Sequence, residues 1–151
     1  MASPAALVRQ VIAYQWQGPA DLSPTLRLEW RFVAVRWLGI FMVAPGLQLA
    51  HLPSDRLRAA YILLVVASIY NYSIQRMMPR FPRVFADGYL TTLGDTILNI
   101  AMVSIGGGFN SPFYFLLFTV AISAAMRYGY GPALLMALIF VGFDSAEHYW
   151  S

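Results

Sequence analysis

The stretch Ser104–Phe115, SIGGGFNSPFYF, lies between two apolar runs and carries no charge. Glycine is costly inside a helix, and Pro112 has no backbone N–H to give to one. Gly106, Gly107 and Gly108 followed by Pro112 therefore predict a break between two helices. The glycines are expected to end the first helix in a left-handed cap. Asn110 or Ser111 is expected to cap the next helix, with Pro112 in its first turn. A turn without charges can sit near a lipid surface at little cost, so this stretch reads as the tight link between two membrane helices.

Composition agrees with that reading. Of 151 residues, 59% are hydrophobic and 11% are charged. Soluble domains carry about 25% charged residues. Too few charges remain to coat a water-facing surface. There are no cysteines, which excludes disulfides, cysteine metal sites and thiol catalysis. The net charge is +3, and its arginines stand beside apolar runs rather than in a basic tract. They read as orienting charges at a membrane, and no nucleic-acid partner is expected.

Working outward from the turn, the run at 89–105 precedes it and the run at 112–126 comes after it. A further run begins at Pro132, reaches Phe143 and extends to about Trp150. Upstream lie runs at 32–50 and 57–74. A bilayer core needs about 20 helical residues, with about 17 as a lower bound. The first of these runs is entered through Arg27, Arg31 and Arg36, has Trp30 and Trp37 at interface height, and contains Pro45-Gly46, a predicted kink. Leu7–Trp16 has apolar residues at roughly helical spacing and reads as a short amphipathic helix in the interface. Gln17–Thr25, QGPADLSPT, is a loop, with Ser23 as N-cap and Pro24 in the first turn of the next helix. The expected fold is an all-α integral membrane protein of about five transmembrane helices plus that interfacial helix. Residues 1–26 form the interfacial part and 27–151 the polytopic part.

Arginines in short loops set the orientation. Arg9, Arg27, Arg31, Arg76, Arg80, Arg83 and Arg127 fall on one side; Arg56 and Arg58, offset by Asp55, fall on the other. The amino terminus is therefore expected in the cytoplasm, and five crossings leave the carboxyl terminus outside.

Asp87, Thr91, Asp95 and Asn99 are spaced by four, which puts them on one helix face. Asp95 falls inside the apolar run, where an ionisable group costs roughly 2.5 to 3.5 kcal/mol and is by default a functional candidate. Two readings stand. The stripe either lines a ligand, ion or proton site, or bonds a neighbouring helix through a hydroxyl or arginine. Asp144, Glu147 and His148 cluster near the carboxyl end; Asp144 and His148 are one turn apart, but further metal ligands are missing. His51 and His148 are the only histidines, each a weak candidate for ligating a metal or a pigment. No Ser/His/Asp arrangement with supporting motifs and no phosphate loop is present, because no GK[ST] succeeds the glycines. The chain is expected not to be an enzyme and to need no cofactor, with lipid or pigment contacts open to it in a larger complex.

At 106–139, GGGFNSPFYFLLFTVAISAAMRYGYGPALLMALI, the chain resembles the membrane input region of bacterial sensor histidine kinases and related signalling proteins. The resemblance rests on Gly107, Gly108, Ser111, Pro112 and Phe113, then Arg127–Gly131, and extends to about Arg27–Phe143. It implies a helical sensor domain in a bacterial inner membrane. Such proteins typically have six membrane helices, then a dimerisation helix and an ATP-binding domain; here five apparent helices and no kinase machinery are read. The expected function is a non-catalytic sensor or input domain with Asp95, Asn99, Thr91 and Asp87 as part of its site. The alternative is an accessory subunit of a larger membrane complex, photosynthetic or respiratory. Membrane lipid and other membrane subunits or a second copy are the expected partners. A small transporter ranks last, because only one helix offers a polar stripe.

Overall fold

The computed structural model describes residues 3–20 and 22–150; the side chains of residues 15, 109, 143, 144 and 146–150 lie outside the described set. Seven α-helices and one 3-10 turn, with no strand, make up the described residues. They are α1 (Pro4–Gln17), α2 (Pro24–Leu49), α3 (Ser54–Met77), α4 (Pro82–Phe85), α5 (Tyr89–Gly106), α6 (Phe115–Tyr128) and α7 (Tyr130–Trp150), with the 3-10 turn at Gly108–Asn110.

Local chemistry fixes most of the ends. Ser3 and Ser23 cap α1 and α2, each accepting the N–H of the residue three positions on, with Pro4 and Pro24 in the first turns. The Ser23 cap and the Pro24 first turn stand where the sequence put them, and the apolar run expected from residue 32 begins inside this helix rather than at its start. The charged segment Arg27–Arg31 continues the helix because arginine and glutamate are good helix formers even where hydropathy fails. Pro45 lies inside α2.

The turn after α5 matches part of its expectation. Gly107 caps α5 at φ 108° and Gly108 comes next at φ 62°, both left-handed. Gly106 is still helical and packs against Ser111. The expected cap and proline start of the next helix are corrected, however. The Ser111 hydroxyl accepts the Phe113 N–H at 3.1 Å and the Ser111 carbonyl accepts the Tyr114 N–H at 3.1 Å. These bonds close a local turn in which Pro112 is exposed, so α6 begins only at Phe115, with no side-chain cap. Asn110 ends the 3-10 turn and is exposed.

α1 packs on α2, α2 on α3, α3 on α5, α5 on α6 and α6 on α7. Three apolar clusters run through this series. Leu26, Trp30, Val33, Ile74, Met78 and Phe85 join α2, α3 and α4; Val43, Leu47, Ala60, Met102 and Phe113 join α2, α3 and α5. Val103, Leu117, Val120 and Phe140 join α5, α6 and α7. Trp30 is not at an exposed interface height: it is 2% exposed beneath α1, donating its indole N–H to the Tyr14 carbonyl at 3.2 Å.

α2 and α3 are long and apolar enough to cross a membrane, and only 17% of the apolar window of each is buried within the chain. That is fewer than the five spans expected from the sequence; α6 and the described part of α7 are shorter apolar helices, and α5 carries Asp95 and Asn99. Large apolar side chains such as Phe41, Met42, Ile62, Val65, Leu134 and Leu138 face outward.

Candidate functional site

Two layers of charge cross the interior where α2, α5 and α6 meet. The first lies near the start of α2 and α5 and the end of α6. Glu29 of α2 and Arg127 of α6 are paired in a fork, Nε to Oε1 at 2.5 Å and Nη2 to Oε2 at 2.9 Å, with both side chains 3% exposed. A carboxylate and a guanidinium match in this two-bond geometry. The Thr91 hydroxyl donates to Glu29 Oε2 at 3.0 Å and the Arg127 Nη1 donates to the Thr92 hydroxyl at 2.9 Å. The Tyr128 hydroxyl lies 3.2 Å from that of Thr92 and donates to the Asp87 carbonyl at 2.9 Å. The Phe32 ring sits 4.1 Å from the Arg127 guanidinium carbon, and Tyr89 stacks on Tyr128.

Backbone conformation admits this layer. Gly88 precedes α5 at φ 66°, and a Cβ there would stand 2.7 Å from Glu29 Oε1. The glycine thus lets a carboxylate approach the first turn of α5, where the helix dipole favours negative charge.

The second layer lies one to two turns further along α2 and α5, with α3 in place of α6. Arg36 Nη2 donates to Asp95 Oδ2 at 2.7 Å, with the side chains 14% and 12% exposed. Tyr70 of α3 donates to the Thr91 carbonyl at 3.0 Å and covers Gly94. Asn71 of α3 donates to the Val33 carbonyl at 3.1 Å. Three buried polar atoms in this region have no hydrogen-bond partner among the described residues: Arg36 Nε, Arg36 Nη1 and Asn71 Oδ1. Buried donors left unpaired cost free energy, so this layer has unused capacity for an oxygen acceptor.

The sequence stripe divides on this geometry. Thr91 and Asp95 lie on the inner face, Thr91 in the first layer and Asp95 in the second. Asn99 donates to the Asp95 carbonyl at 2.8 Å within its own helix. Asp87 is corrected: Gly88 intervenes before α5 begins, so Asp87 is exposed and off the helical face, offering only its carbonyl. Arg36 and Arg127 read from the sequence only as orienting charges, and sequence reasoning misses Glu29, Tyr70, Asn71, Thr92 and Tyr128. One signal for Glu29 exists: it is the sole acidic residue among Arg27, Arg31 and Arg36, and it is two turns from Arg36 on the same face.

His51 sits exposed after α2 in a left-handed conformation, φ 48°. The side chains of Asp144, Glu147 and His148 lie outside the described residues. Among the described residues no three His, Cys, Asp or Glu side chains are grouped to hold a metal. No family model, no curated protein and no solved structure matches this chain.

Proposed function

We propose that the chain is a non-catalytic input domain of a bacterial inner-membrane signalling protein, with five membrane crossings and a cytoplasmic amino terminus. The observation that carries the reading is the Arg36–Asp95 pair, placed between apolar helices with two guanidinium donors unused. Structural glue alone gives no reason to leave buried donors open, whereas a site that takes up an oxygen-bearing molecule needs them. The pair joins α2 to α5, and the Glu29–Arg127 pair joins α2 to α6, so an occupant at Arg36 bears on the packing of three helices. The resemblance around Gly107, Gly108, Ser111 and Pro112 supports the same reading.

The second reading is an accessory subunit of a larger membrane complex. It is favoured by α7, where Leu134, Leu135, Leu138, Ile139 and Val141 are exposed and, among the described side chains of this helix, Phe140 is the large apolar one that is buried. Purification from native membranes in mild detergent, with intact masses, separates the two. A 16.9-kDa chain in fixed ratio with several membrane subunits makes it an accessory subunit. A chain continuous with, or bound to, an output domain makes it an input domain. In the second case Asp95→Asn is expected to alter signalling; unchanged signalling at equal protein level removes Asp95 from the site.

A further inference from the structure

The elbow between α3 and α5 is built with two faces. Met78 and Phe85 point inward and are 0% and 3% exposed, which pins it to the core. Met77, Phe81 and Val84 point outward, interleaved with the exposed arginines Arg76, Arg80 and Arg83. Arg76 bonds the Tyr72 hydroxyl at 3.0 Å and lies over that ring. Arg80 and Arg83 make no ion pair among the described residues, and with Phe81, Pro82 and Val84 they line one shallow cleft. The nearest acidic side chain along the sequence is Asp87.

We propose that this elbow binds an anionic phospholipid, with Arg80 and Arg83 on its headgroup phosphate and Phe81 and Val84 among its first acyl carbons. The elbow comes directly after α3, so it stands where that helix meets the headgroups. Arginine pairs with phosphate through two N–H groups, and a basic residue beside an anionic leaflet strengthens binding. The proposal rests on the membrane reading, but not on the signalling one.

The test is native mass spectrometry of the full chain in mild detergent, titrated with phosphatidylglycerol and with phosphatidylcholine. The natural chain is expected to retain phosphatidylglycerol by about 25-fold over phosphatidylcholine, about fivefold for each arginine. Arg80→Gln with Arg83→Gln should abolish that preference. Arg56→Gln with Arg58→Gln, at the other end of α3, should keep it. Equal retention of the two lipids, or equal loss in both variants, overturns the proposal. Displacement of phosphatidylglycerol by millimolar inorganic phosphate also overturns it, in favour of a free-anion site. A chain that is monodisperse without detergent fails the membrane reading, and the lipid proposal falls with it.

Discussion

At the scale of single residues, the Glu29–Arg127 pair is the interaction most sensitive to change. Both side chains are 3% exposed, so removing either leaves the other charge buried without its partner. Breaking a buried pair from one side typically costs about 3–5 kcal/mol, whereas replacing both members by apolar residues of similar volume is often nearly neutral. Glu29→Leu and Arg127→Met are each expected to lower the unfolding midpoint in detergent strongly, and the double variant to recover most of the loss. Additive losses in the double variant would mean the pair carries no coupling. Thr91→Val should cost about 1–2 kcal/mol, since it removes one donor from the carboxylate. The sequence discloses Asp95 because an acid in an apolar run stands out. It hides Glu29 and Arg127, which are 98 positions apart and lie at the ends of runs, where charges look solvated. No local pattern reports that a helix end will be covered.

At the scale of elements, helix α5 is the most legible, because glycines bound it on both sides. Gly88 and Gly107 stand at φ 66° and 108°, where an L side chain is strained by about 1–2 kcal/mol. Gly107→Ala is expected to lower stability by that amount. Gly88→Ala should cost more, since the new Cβ also meets Glu29 Oε1. Gly106→Ala should destabilise for a different reason: the Cβ collides with Ser111. Gly39, helical and with open space where its Cβ would go, is the control; Gly39→Ala should be neutral or stabilising. Thermal melts in one detergent rank all four, and equal effects at Gly39 and Gly107 would remove the left-handed cap from the account. The start of α6 is less legible than the end of α5. Ser111 and Pro112 are sound helix-start residues, and the Ser111 hydroxyl accepts the Phe113 N–H two positions on, but the first bonds after it close i→i+3, so the regular α-helix starts only at Phe115.

At the scale of the whole molecule, the question is how many helices cross the bilayer. α2 and α3 suffice by length and apolar content, whereas α5, α6 and α7 are shorter or carry polar residues. The buried layers bear on this, because Arg36 neutralises Asp95 and Arg127 neutralises Glu29. An apolar stretch with an internally paired charge costs less to insert than its sequence alone implies, so hydropathy undercounts such helices. Two crossings and five crossings place the turn after α5 on opposite sides. With two, everything after α3 stays on the side of the elbow, and Asn110 shares a compartment with Pro79. With five, α5 carries the chain across and Asn110 joins Arg56 on the far side; Arg56 Nη1 lies 3.7 Å from where a Gly107 Cβ would stand. The chain has no cysteine, so single substitutions report without background. Pro79→Cys and Asn110→Cys both fall on exposed residues. In sealed right-side-out vesicles an impermeant maleimide is expected to label Asn110→Cys at once and Pro79→Cys only after the membrane is opened. Protection of both would put Asn110 on the side of Pro79, against the packing of α5 along α3 that brings Gly107 beside Arg56, and would overturn the five-crossing reading.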